Sequence, residues 1–283
     1  MSVARPDAEV DPLPDVALPR RRRGRSLPAA VLLVEDPFPP LRPLATPDRA
    51  ANGNGALLPT EPAPVAPLRW LREALVDAGI AVIGEAPVIE GADAGTSAPG
   101  GSDTAPSRSP GPPSFAELVA KVAALVTMAA DHPHLRANLD PRRLVLAATG
   151  RAAAVAMEVA ARSPGLPLVL ISPVAVELVV RRLDRAAEKG VPTPPSDEER
   201  FIRDAGARQP MRLLALAEPR PIAIIHPAAE LRAGEHAEAV ATALRLDGRV
   251  VERVAVAFAG RSLAEPHARA AVTAALARFV QGA

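Results

Sequence analysis

Six short runs of nearly unbroken aliphatic residues recur along the chain, separated by longer stretches whose apolar positions repeat at helical spacing. Few folds accept that alternation: repeated strand–helix units bury a parallel sheet between two helical layers. The runs are Ala29 to Val34, Ile80 to Ile83, Leu144 to Ala148, Leu168 to Ile171, Ile222 to Ile225 and Val250 to Phe258. Their lack of polar alternation means that both sheet faces are covered. The helical stretches are Pro67 to Ala78, Phe115 to Ala130, Arg151 to Arg162, Ala175 to Lys189, Gly234 to Leu246 and Pro266 to Val280. In the last, Ala270, Val272, Ala275, Leu276 and Phe279 form one apolar stripe, and Pro266 suits a first helical turn. The pattern predicts α/β architecture: a three-layer α/β/α sandwich around a mostly parallel sheet of about six strands.

Three segments stand outside this pattern. Residues 1–28 have no hydrophobic period and are broken by Pro6, Pro12, Pro14, Pro19 and Pro28, so a disordered Pro/Arg-rich tail is expected there. Gly, Ser, Ala and Pro dominate 91–113, which reads as a disordered loop inside a single domain spanning 29–283. Residues 192–216 fit the alternation poorly. They are expected to form a small cap-like excursion between two strands, with a helix from about Ser196 to Ala205 covering one end of the sheet.

Composition narrows function mainly by exclusion. Thirty-three basic residues against thirty-two acidic ones give +1, no basis for a nucleic-acid or membrane surface. No cysteine is present, which excludes disulfides, thiol catalysis and Cys-ligated metals. Tyrosine is absent and aromatics make up 2%, leaving few platforms for stacking bases. No apolar stretch reaches the ~20 residues of a membrane helix. The run after Arg20 to Arg23 is too short for a signal-peptide core and ends at Glu35 and Asp36. A soluble, cytoplasmic protein is expected, with no cofactor, and with the Arg20 to Arg25 run as part of a solvated tail.

In an open parallel sheet, ligands meet the carboxyl ends of the strands. At one such end the chain reads Ala148, Thr149, Gly150, Arg151, Ala152 between an apolar strand and a small-residue helix. This junction resembles the nucleophile elbow G-x-S-x-G of the α/β-hydrolase fold, where small residues let strand and helix backbones approach. The resemblance extends in order from Ala29 to the C-terminus. Leu168 to Pro173 looks like the strand after the elbow. Pro221 to Glu230 resembles the strand leading to the catalytic acid, placing Glu230 at the acid position. Val254 to Pro266 resembles the last strand and the histidine loop, with Arg261 where the histidine would stand. Leu32 to Pro37 resembles the strand whose turn helps form the oxyanion hole, with Glu35 and Asp36 in that turn.

The resemblance is esterase- or dienelactone-hydrolase-like, and it implies a scaffold whose chemistry has been replaced. Gly150 cannot form an acyl-enzyme, Arg261 cannot act as a general base, and carboxylates in the oxyanion turn would repel a developing oxyanion. The expectation is a non-catalytic protein that binds a small ligand or a protein partner, with Gly150, Arg151 and Arg261 as an anion site. Against this, Arg151 is also explained as a solvent-facing cation paired with Glu158. The alternative is an active carboxylic-ester hydrolase or acyltransferase working through Thr149, Glu230 and His267. Each of those has a plainer explanation: Thr149 as a strand-end cap, Glu230 as a surface acid before a helix, His267 as a polar first-turn residue. His132 and His134 flank Pro133 and, in an extended segment, would point to opposite sides, so no metal site is expected. His226 is read as structural and His236 as lying on a solvated helix face.

Overall fold

The computed structural model describes residues 15–19, 27–38, 69–84, 112–188, 196–246, 250–259, 263 and 265–282. Seven strands form one sheet: β1 Asp15–Ala17, β2 Ala30–Val34, β3 Ala81–Gly84, β4 Leu144–Thr149, β5 Leu168–Ile171, β6 Ile222–Pro227 and β7 Val251–Val256. Their order is β1-β3-β2-β4-β5-β6-β7. β1 runs antiparallel to β3, and every other neighbouring pair is parallel. The described helices are α1 Arg69–Asp77, α2 Phe115–Asp131, α3 Pro133–Asn138, α4 Ala152–Arg162, α5 Val176–Glu188, α6 Asp197–Arg208, α7 Pro210–Leu216, α8 Leu231–Leu246 and α9 Pro266–Gly282.

Alternation along the buried strands sorts the core into two faces, as the apolar runs require. Leu32, Leu146, Leu170 and Ile224 point to the side carrying α2, α4, α7 and α8. Val31, Val145, Val169 and Ile225 point to the side where Leu71 and Leu75 of α1 meet Val272 and Leu276 of α9. The expected three-layer sandwich is therefore what forms. α4 lies deepest: Ala152 through Ala160 are all buried, because β4, β5, α2 and α7 pack around it and only small side chains admit them all.

Several expectations need correction. The sheet has seven strands, not about six, and the additional one lies within 1–28, where no packed structure was expected. Three residues carry no readable period; tertiary contacts fix them. Val16 packs against the core, and Asp15 pairs with Arg72 of α1, whose guanidinium holds the Asp15 carboxyl below its ordinary value. His132 and His134 do not splay apart. Pro133 opens α3, and the two rings stack with centroids 5.8 Å apart. α8 starts at Leu231 instead of Gly234. His236 on it is half-buried, accepting the Ala175 N–H at Nδ1.

The segment 192–216 divides in two, with 192–195 outside the described residues. Ser196 caps α6, which packs on α5 and α2. Gln209 then takes a left-handed conformation, φ 51, and Pro210 starts α7 inside the helical layer between α4 and α8. The Arg20 to Arg25 run and the loop 91–113, apart from Pro112 and Pro113, lie outside the described residues.

Two buried charges hold this helical layer. Glu158 of α4, fully buried, pairs with Arg162 and with Arg208 at the end of α6. Arg220, before β6, donates to the Ala160 carbonyl, to Ser163 O at 2.9 Å and to Glu218 O at 3.2 Å, closing the carbonyl end of α4. Replacing Arg220 with Met keeps the apolar stem but leaves those carbonyls without the donor. A loss of about 2 kcal/mol is expected, seen in thermal unfolding by circular dichroism as a Tm lower by roughly 5 °C.

Candidate functional site

From β2 the chain crosses to β3 on one side, then returns past β2 to β4 and continues in that direction. The connections part between β2 and β4, so the crevice beyond the carboxyl ends of these two strands is the natural site. Two segments meet there: Glu35 to Phe38 after β2, and Thr149, Gly150 and Arg151 between β4 and α4.

Gly150 turns the strand into the helix with φ +54. A Cβ at this position would overlap Asp36 Oδ2 and lie 3.0 Å from the Asp36 carboxylate carbon. The carboxylate is fixed in that place. Its Oδ2 accepts the Arg151 main-chain N–H at 3.0 Å, and its Oδ1 accepts Arg151 Nε at 2.9 Å and the Phe38 N–H at 3.1 Å. The Asp36 N–H donates to Thr149 Oγ1 at 3.1 Å.

Arg151 is 3% exposed. Besides Asp36 it donates to Glu198 of α6 and, through Nη2 at 3.1 Å, to the Phe38 carbonyl. The guanidinium lies over the Phe38 ring, 5.0 Å from its centroid. Phe38 packs edge-on against Phe201 of α6 at 5.2 Å, and Phe201 against Phe115 of α2 at 5.3 Å. Two carboxylates, a guanidinium and three aromatic rings therefore meet at this crevice.

Gly150, Arg151 and Thr149 are brought together, around an acid that the sequence analysis placed in an oxyanion turn. Arg151 neither faces solvent nor pairs with Glu158; it is buried against Asp36 and Glu198. Glu230 follows β6 and precedes α8, two strands from β4 in the sheet, where its carbonyl accepts the Gly234 N–H at 3.0 Å. His267, exposed in the first turn of α9, donates through Nε2 to the Ala257 carbonyl at 3.2 Å. Arg261 and Ser262 lie outside the described residues. Sequence reasoning missed Glu198, Phe38 and Phe201, which no local pattern marks. The available signal was Asp36 itself, an acid just past the end of one apolar strand, with a glycine–arginine pair at the end of another.

Two grooves lie elsewhere, in the helical layers: one lined by Glu177, Val180, Met211 and Arg212, the other by Trp70, Arg269 and Thr273. Burial pushes the Glu177 carboxyl above its ordinary value. Among the described residues, no group of three His, Asp or Glu is placed to hold a metal, and no helix is long and apolar enough to cross a membrane.

Gly150→Ala tests how tightly the Asp36 carboxylate is seated. In the native protein the cost is expected to be about 3 kcal/mol, from left-handed strain plus displacement of Asp36. In an Asp36→Gly background it should fall to the strain alone, about 1 kcal/mol. Urea unfolding of the four proteins in the cycle measures the difference.

His226, on the far half of the sheet from the crevice, is an acid-sensitive element. It is buried at the end of β6, with Nδ1–H donating to the Pro227 carbonyl at 3.2 Å and Nε2 accepting from Arg253 at 3.3 Å. Burial first, then the Arg253 charge, holds its pKa below the ordinary 6.5, against opposing pulls from the Pro227 carbonyl and Glu238. The unfolded chain therefore takes up the proton first. The contribution to stability is complete above pH 6.5 and is lost as the pH falls toward the depressed folded value. Thermal unfolding between pH 7.5 and 5 should show this decline, and His226→Gln should reduce its slope.

No family model and no curated protein matches the sequence. Solved structures do match. Est1E from Butyrivibrio proteoclasticus superposes with a TM-score of 0.56 at 12% identity, over 94% of this chain and 92% of that one. Carboxyl esterase 2 from Tuber melanosporum gives 0.52 at 13% identity, over 91% and 80%. Dienelactone hydrolase from Anabaena variabilis gives 0.51 at 12% identity, over 94% and 89%. At such identities the likeness is one of architecture, and it agrees with the strand order, the switch point and the left-handed turn after β4: the chain has the α/β-hydrolase fold.

Proposed function

We propose that this protein uses the hydrolase scaffold for binding, of a small ligand or a protein partner, and not for catalysis. One observation carries the reading: the Asp36 carboxylate stands where the side chain of a nucleophile would begin. In a nucleophile elbow the residue after the nucleophile donates its main-chain N–H to the oxyanion. In this chain that donor is the Arg151 N–H, and the Asp36 carboxylate takes it at 3.0 Å. The anion at the Gly150–Arg151 junction is thus the chain's own, and the side-chain donors of Arg151 also go to Asp36, Glu198 and the Phe38 carbonyl. Gly150 offers no nucleophile, and the Thr149 hydroxyl, the nearest one along the chain, accepts from Asp36 N–H.

An ester hydrolase would have to expel Asp36 from this position and leave a buried Arg151 short of a partner, a loss of roughly 3 to 5 kcal/mol. The test is to incubate the purified protein with a fluorophosphonate probe, beside an active serine hydrolase, and to map any adduct by peptide mass. Turnover of short-chain nitrophenyl esters is followed in parallel. No adduct and no turnover are expected. An adduct on Thr149 or Ser262, with ester turnover lost in the matching alanine variant, overturns the reading and makes the protein an esterase.

A further inference from the structure

The two edges of the sheet are finished differently. The β1 edge is three residues long, flanked in sequence by Pro14 and Pro19, and its Asp15 is tied back to α1 through Arg72. Short length, proline and charge are the usual devices that stop an edge from pairing with another chain. The β7 edge lacks the first two, and its charges are tied up within the chain. It is six residues long and contains neither proline nor lysine. Its two charged residues are neutralised within the chain, Glu252 by Arg278 and Arg253 by Glu238. At its two ends stand Val250, 86% exposed, and Phe258, 88% exposed.

The direction of the main chain along β7 is set by its pairing with β6. The Val256 carbonyl accepts the Ala228 N–H at 2.8 Å, so Val256, Val254 and Glu252 turn their backbone groups inward. Residues alternate along a strand, and Val251, Arg253 and Ala255 therefore turn theirs outward. We infer that this edge pairs antiparallel with the same edge of a second copy of the chain, about a two-fold axis at Val254.

The sequence is self-complementary in that register. Val254 faces its own copy, Arg253 and Ala255 exchange main-chain hydrogen bonds with the second copy's Ala255 and Arg253, and each exposed Val250 meets the second copy's exposed Phe258. An axis at Glu252 or Arg253 would instead set like charges directly opposite. An axis at Ala255 would set Glu252 against Phe258 and leave Val250 without a partner. The register at Val254 avoids both faults and covers the two largest exposed apolar residues flanking the strand.

Light scattering on the full chain after size exclusion reads the outcome, with a mass twice the 29.3 kDa of one chain expected. Ala255→Pro removes an outward N–H without touching the β6 side, and Phe258→Asp removes the end contact at a φ of 54 that Asp tolerates. Each should return the mass to that of one chain, with circular dichroism unchanged. Val254→Cys reads the register, because the chain has no other cysteine. Residues facing each other across such an axis have Cα atoms about 4.5 Å apart, within disulfide reach, and mild oxidation should give a covalent dimer on a non-reducing gel. A native protein with the mass of one chain overturns the inference. So does a dimer that survives both Ala255→Pro and Phe258→Asp, or one in which Val254→Cys does not cross-link.

Discussion

A carboxylate and a guanidinium taken out of water together are the constraint around which this molecule is arranged. The Asp36 and Arg151 side chains are 17% and 4% exposed. Removing such ions from water costs several kcal/mol each, recovered only when the remaining lone pairs and protons find partners. Both Asp36 oxygens are satisfied, by Arg151 main chain and side chain and by the Phe38 N–H, and the Asp36 N–H is satisfied by Thr149. The turn after β2, the end of β4 and the start of α4 consequently hold one another. Removing either Asp36 or Arg151 leaves the other's charge desolvated without this partner.

Glu198 draws α6 into the same unit. One guanidinium between two carboxylates leaves an excess negative charge, which the geometry meets with positive helix ends. Asp36 accepts the amide N–H of Arg151, the residue that caps α4, and Glu198 belongs to the acidic first turn of α6, together with Asp197 and Glu199. Phe201, one turn further along α6, supplies the apolar half of the contact by packing between Phe38 and Phe115. The chain has only five phenylalanines, and three of them are used here.

The sequence analysis located the strands well because burial on both faces leaves unbroken apolar runs, and Leu168 to Ile171 matches β5 residue for residue. The mostly parallel sheet followed from the alternation, and the elbow turn from the small residues around Gly150, whereas the spatial order and register of the strands come from the structure. What escaped it was non-local. β1 is held by contacts to α1 and the core and has no period of its own. Asp36 was visible as an acid in the oxyanion turn, but its pairing with Arg151 joins positions 115 residues apart. Glu198 lies in the helix expected from about Ser196 to Ala205, but its pairing with Arg151 spans 47 residues. A surface acid such as Glu158, seven residues on, is the partner that local spacing offers Arg151, whereas Glu158 faces Arg162 and Arg208.

The elbow itself separates geometry from chemistry. A strand that turns directly into a helix packed back on the sheet needs a residue with positive φ at the junction and small neighbours on either side. Here φ at Gly150 is +54, and Ala148 and Ala152 are fully buried. An enzyme that places a side chain at this position stores strain there as part of its mechanism. Glycine releases that strain, and the volume so vacated is what admits Asp36. The left-handed turn is therefore a property of the α/β framework, retained because the packing of β4 against α4 demands it. What the site can do depends on the side chain at that turn and on the group that faces it, which in this chain are Gly150 and the Asp36 carboxylate.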